Sequence, residues 1–178
     1  MSNDIKTYLN KFSKSINDRS IALEWEKFGD QLLEYLLNFL KSGTSIEKYN
    51  AADVIRQMYF LGKHRKWILN HVVESMIQNL QDTSEYTRGY TAVVLSDFKD
   101  KRALKPILSL AQDSSDYVRW VVAWSLGRFE DKQAIPALEW IRDNDNSYQE
   151  IKDEQEETGC HKEFNRDVAI RTIAKLQK

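Results

Sequence analysis

The stretch TSEYTRGYTAVVLSDFKDKRALKPILSLAQD, residues 83–113, is followed at once by a second version of itself, SSDYVRWVVAWSLGRFEDKQAIPALEWIRD, residues 114–143. At an offset of 31 residues, the two copies share tyrosine, arginine, alanine, leucine, phenylalanine and aspartate. A one-residue deletion then aligns three further pairs: Pro106 with Pro136, Leu108 with Leu138, and Asp113 with Asp143. So many matches in one window indicate an internal repeat.

Each copy predicts two helices joined by a tight turn. The first helix begins after a polar capping residue, such as Thr83 or Ser115, and ends near Asp97 or Gly127. The turn reads FKDK or FEDK, and a second helix follows with proline in its first turn, where the missing N–H is not needed. Because one such hairpin cannot bury its apolar face alone, the copies are expected to stack on each other.

The string DSSDYVRWVVAWSLG (113–127), followed by DKQAIPAL (131–138), resembles the HEAT-repeat family and is most similar to the HEAT-like repeats of phycobilin lyases. The resemblance is strong over 83–143. It is weaker upstream, where a Leu-Gly pair and Asp82 remain but the loop between the helices is longer and basic. The resemblance implies an all-α fold, a short right-handed α-solenoid of stacked helical hairpins.

The whole chain, 1–178, is predicted to form a single solenoid domain. Two helices at about 3–15 and 21–41 lack the motif and are expected to form an N-terminal cap, because solenoids need atypical ends. The capping box TSIE, which begins at Thr44, starts the next helix. The remaining segments are repeats at 44–82, 83–113 and 114–143, an acidic insertion at 144–165, and a C-terminal capping helix at 166–178.

Two tryptophans, Trp120 and Trp124, lie four residues apart and therefore on one face of the predicted helix. In HEAT repeats this helix lines the concave surface, and these two positions usually carry polar residues. Tryptophan is a favoured anchor at interfaces, so one or both are candidates for contact with a partner. The alternative is packing against the N-terminal helices or the acidic insertion. Tyr59, two residues before Leu61, is a candidate continuation of the aromatic row.

The resemblance implies that Arg88 and Arg119, each six residues after an aspartate, belong to a polar ladder between repeats. Two charged segments are further candidates for binding. The insertion carries the acidic residues Asp153, Glu154, Glu156 and Glu157. The loop at 63–66 carries Lys63, Arg65 and Lys66, which form a possible basic patch.

The sequence offers no catalytic constellation, which favours a binding protein over an enzyme. The net charge is −1, which argues against nucleic acid as a partner. No stretch is long and apolar enough to cross a membrane, and one cysteine, Cys160, fits a reducing cytoplasm. Neither catalytic residues, nor a metal site, nor a cofactor is predicted. Cys160 and His161 are adjacent, but neighbours on a chain point apart and no third group is implied.

The sequence thus predicts a non-enzymatic module, a monomer when free, that binds a protein partner. The specific hypothesis is an immunity protein that occludes a bacterial toxin, plausibly a nuclease with a basic cleft, by means of acidic and aromatic residues. One alternative is a scaffold or a bilin-lyase-like chaperone. A second is a HEAT-like alkylpurine DNA glycosylase; against it, the chain is mildly acidic and places no carboxylate one turn away on the Trp120/Trp124 face.

Overall fold

The computed structural model describes residues 29–62, 64–152 and 160–178, which form two layers of helices. The helices are α1 (Gly29–Ser42), α2 (Ser45–Phe60), α3 (Arg65–His71), α4 (Val73–Asn79), α5 (Glu85–Phe98), α6 (Leu104–Ser109), α7 (Asp116–Phe129), α8 (Ile135–Asn144) and α9 (Asn165–Leu176). Short 3-10 turns lie at Lys101–Ala103, Leu110–Gln112 and Lys132–Ala134, and two strands at β1 (Tyr148–Lys152) and β2 (Cys160–Phe164).

The first helices of successive repeats form one layer. Helix α2 packs on α5, α5 on α7, and α7 on α9, while α4, α6 and α8 lie behind them as a second layer. The core fills the space between the layers, and repeat-equivalent residues occupy equivalent places in it. Leu95 and Leu126 are fully buried, as are Ala92 and Ala123. The predicted all-α solenoid of stacked hairpins is confirmed.

The turn inside each repeat is made by one residue in the left-handed conformation. Lys99 has φ 52° and Glu130 has φ 55°, and each directly follows the last residue of its helix. This conformation ends the helix and turns the chain toward the second layer. Lys99 and Glu130 also pair across the repeats at 2.8 Å.

Arginines tie each repeat to its neighbours. Arg88 donates from Nη1 to the Asp82 carbonyl at 2.9 Å, and from Nε and Nη2 to the Asp113 carboxylate at 2.9 and 2.7 Å. Arg119 repeats the pattern with the Asp113 carbonyl at 2.7 Å and the Asp145 carboxylate at 2.6 and 3.2 Å. The inter-repeat ladder implied by the resemblance is confirmed, and these two arginines belong to the fold.

The aspartates of the ladder share an Asp-x-Ser motif. In each motif the serine N–H donates to the aspartate at 2.9–3.0 Å; the pairs are Asp82 with Ser84, Asp113 with Ser115, and Asp145 with Ser147. The counterpart of Asp113 is therefore Asp145, and the alignment with Asp143 is wrong. Helix α8 continues to Asn144, whereas the preceding copy ends in a 3-10 turn, so the loop aspartate comes later in the third repeat. The counterpart of Leu138 is Ile107, because both are fully buried, whereas Leu108 is half-buried. The alignment of Leu108 with Leu138 is therefore also wrong.

The insertion contains a β-hairpin where the sequence predicts an acidic loop. Strands β1 and β2 pair antiparallel, from Tyr148 opposite Phe164 to Lys152 opposite Cys160. The Asn165 N–H donates to the Ser147 carbonyl at 3.0 Å, so the two ends of the insertion are fixed side by side. Backbone groups of the two segments can then pair with each other. Ser147 is equivalent to the helix-capping serines of the earlier repeats, so the hairpin separates a cap from its helix.

Both ends of the described chain are capped by helices. Helix α1 packs on α2 and α4, and the predicted C-terminal helix is confirmed as α9, which packs on α7 and α8. The capping box at Thr44 is also confirmed: Glu47 N–H donates to Thr44 Oγ1, and the Thr44 N–H donates to the Glu47 carboxylate at 2.8 Å. The predicted helix at 3–15 and the start of the one at 21–41 lie outside the described residues.

Candidate functional site

The solvent-facing side of the first layer brings together side chains from three helices. We call it the front face and define it by Arg56 on α2, Asp97 on α5, and Trp120, Trp124 and Arg128 on α7. Spacings of four residues place the three α7 side chains in one row. They lie opposite the apolar residues that α7 turns toward the core.

Trp120 is part of the fold. It is half-buried, and its indole N–H donates to Glu163 Oε2 on β2 at 2.7 Å. Its ring lies 6.3 Å from that of Tyr117 and packs against the core. The other oxygen of Glu163 accepts a hydrogen bond from Arg171 on α9. The alternative in which Trp120 packs against the insertion is therefore confirmed.

Trp124, one turn later, remains 44% exposed. The Arg128 guanidinium carbon lies 3.6 Å above the centre of its ring. Arg128 also forms an ion pair with Asp97, whose carboxylate accepts a hydrogen bond from Arg56 Nε at 2.5 Å. Asp97 thus holds two arginines, and one of them covers one face of the indole. Such a cation over an aromatic ring is itself attractive.

A cleft of about 350 Å³ opens beside Trp124, between α7 and α9. It is lined by Trp124, Gly127, Arg128, Val168, Arg171, Thr172 and Lys175. Gly127 lets the helices approach closely, since a Cβ at this position would lie 2.9 Å from Thr172 Cγ2. Lys175 Nζ donates to the Gly127 carbonyl at 2.8 Å, which fixes the ammonium at the rim.

The described charged residues around Trp124 are cations, whereas the sequence predicts an acidic segment beside the tryptophans. Arg128, Arg171 and Lys175 line the cleft, and no carboxylate is among its described lining residues. Asp145, near the start of the predicted insertion, is buried and paired with Arg119. Burial alone would raise the pKa of Asp145. Hydrogen bonds from Arg119, Ser147 and Asn165 outweigh this effect and hold the pKa well below its usual range. Asp145 therefore adds no accessible negative charge.

Tyr59 does not continue the row of tryptophans. Its ring packs on Phe98 at 4.5 Å, and the guanidinium of Arg65 lies 5.1 Å from its centre. The neighbouring Phe60, 53% exposed, lies under Arg56 of the front face at 5.2 Å. The aromatic residue of α2 that reaches the front face is therefore Phe60.

The two predicted charged patches fall partly outside the described residues. Arg65 is exposed but donates from Nε to the Tyr59 carbonyl at 2.8 Å, so it closes the turn between α2 and α3. Lys66 is exposed, and Lys63 lies outside the described residues. The acidic residues of the predicted insertion also lie outside the described residues; they are Asp153, Glu154, Glu156 and Glu157. Their role in binding stays a prediction.

Sequence reasoning missed the residues that surround Trp124. One signal was available: Asp97 and Arg128 are 31 residues apart, which is the repeat offset, and repeat-equivalent positions of stacked helices are neighbours. Opposite charges at such positions predict an ion pair. Glu163, Arg171 and Lys175 carried no comparable signal, because their places depend on the hairpin register.

Carboxylates do lie near the two tryptophans, contrary to the expectation that weighed against a glycosylase. Asp97 comes from the neighbouring helix and Glu163 from the hairpin, and both are paired with arginines.

Within 29–62, 64–152 and 160–178, no three His, Cys, Asp or Glu side chains are grouped as metal ligands would be. No helix in those ranges is long and apolar enough to cross a membrane.

Two stacked layers of helical hairpins joined by a polar ladder define an α-solenoid. Residues 73–154 match the family model described as HEAT repeats, which confirms the resemblance to that family over this segment. HEAT repeats are protein-interaction and scaffold modules. The closer likeness to phycobilin-lyase repeats stays a prediction. The comparison with curated proteins found no match.

Proposed function

We propose that the chain is a non-enzymatic module that holds a protein partner on the front face, with Trp124 as the central anchor. One observation carries the proposal: Trp124 remains 44% exposed in a cleft, whereas the same residue type one turn earlier is used by the fold. Tryptophan in a concave site buries a large area with little loss of side-chain freedom, and such residues dominate binding energy at interfaces.

Two forms of this function differ in what happens to the partner. The immunity-protein hypothesis is the form in which the partner, a toxin, is silenced because the front face occludes its active site. A scaffold or chaperone is the form in which the partner stays active. The cations beside Trp124 favour an acidic contact region on the partner, in place of the basic nuclease cleft expected from the sequence.

The carboxylates near the tryptophans argue against the DNA-glycosylase alternative, because they hold neighbouring side chains. Asp97 accepts from Arg56 and forms an ion pair with Arg128, and Glu163 accepts from Trp120 and Arg171. These contacts join both carboxylates to side chains of neighbouring elements and use part of their acceptor capacity. The geometry thus assigns both groups to holding the front face together.

The test compares two tryptophan variants as bait. Trp124→Ala removes the proposed anchor, and Trp140→Ala, a half-buried tryptophan of α8 in the second layer, is the matched control. Both are checked for helix content by circular dichroism. We expect a partner captured stoichiometrically by the native chain to bind Trp124→Ala at least about tenfold more weakly, since hot-spot truncations cost about 2 kcal/mol or more. Equal binding by both variants contradicts the proposal.

A second measurement separates the two forms. The partner identified by mass spectrometry is titrated with the native chain while its own activity is recorded. Loss of activity at a one-to-one ratio supports the inhibitor, and unchanged activity supports the scaffold. Trp124→Ala must weaken the effect in either case if the front face is the binding surface.

A further inference from the structure

The cleft between α7 and α9 has a chemistry that identifies the kind of group it receives. We infer that it binds an acidic side chain of a peptide segment, with the anion at Arg171 and Lys175 and the apolar part of the segment against the free side of Trp124. This inference rests on the proposed function and goes further, since it names the partner's contact chemistry.

The cations of the cleft are held in place by contacts within the chain. Glu163 pairs with Arg171, the Gly127 carbonyl accepts from Lys175 at 2.8 Å, and Asp97 pairs with Arg128. Fixed side chains lose little freedom when a ligand arrives, so a preorganised site binds more tightly than a flexible one. Long surface cations without such supports would have to be ordered by the ligand.

These supports leave donors free. A guanidinium has five N–H donors and an ammonium has three, and each contact above uses a minority of them. The Arg171 side chain is 63% exposed, and Lys175 is also exposed. Both therefore present cationic N–H groups to the solvent at the rim of the cleft. A carboxylate is a matching acceptor, because hydrogen bonds between ionised partners are the strong ones.

The charges around the cleft do not cancel. Nearby cations are Arg56, Lys99, Arg128, Arg171 and Lys175, and nearby carboxylates are Asp97, Glu130 and Glu163. Glu130 pairs with Lys99 at 2.8 Å, so this pair is neutral. Among the residues that the structure describes, the other groups leave a surplus of positive charge beside Trp124. An anion bound there meets a favourable field that weakens as salt is added.

The dimensions favour a peptide over nucleic acid. A volume of about 350 Å³ is at the lower end of ligand pockets and accommodates one or two side chains. A nucleic-acid strand is bound along a continuous basic track that contacts many phosphates. Here the hairpin brings Glu163 to one end of the cleft, and the net charge of the chain is −1. The surface therefore offers an isolated anion site.

The experiment follows the indole signals of the ¹⁵N-labelled chain by NMR, with the Trp124 signal assigned from Trp124→Phe. The probe is the acetylated peptide Gly-Glu-Glu-Phe-Glu-Glu-Gly, and the peptide with lysine in place of glutamate is the charge control. We expect saturable shifts of the Trp124 signal with the acidic peptide and none with the basic one. Binding should weaken as salt is raised.

A double variant, Arg171→Gln with Lys175→Gln, tests the cations. Its matched control is Lys105→Gln with Lys132→Gln, which removes two exposed positive charges of the second helices and their turns. We expect affinity for the acidic peptide to fall about tenfold or more in the first variant and to stay unchanged in the second. An unchanged Trp120 signal shows that the contact with Glu163 survives, so the loss is not one of folding.

Three outcomes overturn the inference: shifts with the basic peptide, no shift with the acidic one, or equal affinity in the two double variants. Tighter binding of oligo-dT through the same cations overturns the peptide class in favour of nucleic acid. Failure here is distinguishable from failure of the proposed function. If Trp124→Ala releases the captured partner but the Arg171/Lys175 double variant does not, the front face binds its partner without this anion site.

Discussion

The surroundings of Trp120 and Trp124 differ although both are tryptophans of one helix face, one turn apart. At Trp120, the hairpin contributes Glu163, and the indole N–H is satisfied inside the molecule. At Trp124, no described residue of the hairpin lines the cleft, and three cations surround it. The same residue type at neighbouring positions thus serves the fold in one place and is available for binding in the other.

The insertion point of the hairpin explains this difference. It leaves the solenoid after Ser147 and returns at Asn165, where both residues contact Asp145 of the ladder. The described ends of the hairpin therefore lie at the beginning of α7, where Asn165 contacts Asp116 and Glu163 contacts Trp120. The ladder fixes the hairpin, and the hairpin decides which tryptophan is covered.

The largest expected effect comes from breaking the ladder under the hairpin. Asp145→Ala leaves Arg119 buried without its carboxylate and removes an acceptor from Ser147 and Asn165. Truncating one partner of such a pair costs about 3–5 kcal/mol. Chemical denaturation measures this loss. Asp143→Ala is the control, since Asp143 is exposed and pairs with its neighbour Arg142. Equal losses for the two variants would mean that Asp145 is not the repeat-equivalent of Asp113.

The ladder also predicts a dependence of stability on pH. The pKa of Asp145 is lowered in the folded chain, as are those of Asp82 and Asp113, because hydrogen bonds from their partners outweigh the effect of burial. Their stabilisation is complete above the ordinary aspartate pKa of about 3.9 and is lost as the pH falls below it. Thermal melts should therefore show a steep loss below about pH 4. Asp145→Asn should flatten this slope, whereas Arg171→Gln with Lys175→Gln should not.

A smaller effect is expected at the floor of the open cleft. Gly127→Ala places a methyl group 2.9 Å from Thr172 Cγ2, where α7 and α9 meet. Overpacking of this kind costs about 1–3 kcal/mol, while alanine recovers up to about 1 kcal/mol of helix propensity, so we expect a net loss of about 1–2 kcal/mol. Adding Thr172→Ser removes the clashing methyl and should restore stability in denaturant titrations. No recovery in the double variant would place the strain elsewhere.

The sequence predicts the solenoid because its signals are local and repeated. Apolar positions recur at the repeat offset, and the Asp-x-Ser motifs and their arginines return with each unit. The role of Asp145 was missed because the second helix of the third repeat continues to Asn144. An alignment residue by residue therefore pairs Asp113 with Asp143, which lies inside this helix.

The candidate site was predicted only in part, since it depends on long-range placement. The exposure of Trp124 and the burial of Trp120 follow from where a β-hairpin stands, and the register of that hairpin is set by ladder contacts distant in sequence. The charge around Trp124 comes from α5, α7 and α9 together. Among the described residues the charge beside the anchor is positive, while the predicted acidic residues Asp153, Glu154, Glu156 and Glu157 lie outside them.

The smallest effects on stability are expected from replacing each of the two tryptophans with phenylalanine. Trp120→Phe keeps an aromatic ring but removes the donor to Glu163, and we expect a loss of about 1 kcal/mol, because the half-buried carboxylate regains some water. Trp124→Phe should change the free energy of unfolding by about 0.5 kcal/mol or less, since the side chain is exposed and a ring remains under Arg128.

Binding should reverse the order of the two tryptophan variants. Trp124→Phe removes part of the exposed indole and should weaken capture of the partner, whereas Trp120→Phe should leave it within about twofold, because its ring packs against the core. Denaturation and binding, measured on the same preparations, show which variant loses more stability and which loses more affinity. Weaker binding by Trp120→Phe than by Trp124→Phe would place the binding surface on the hairpin, and the division of roles between the two tryptophans would then be wrong.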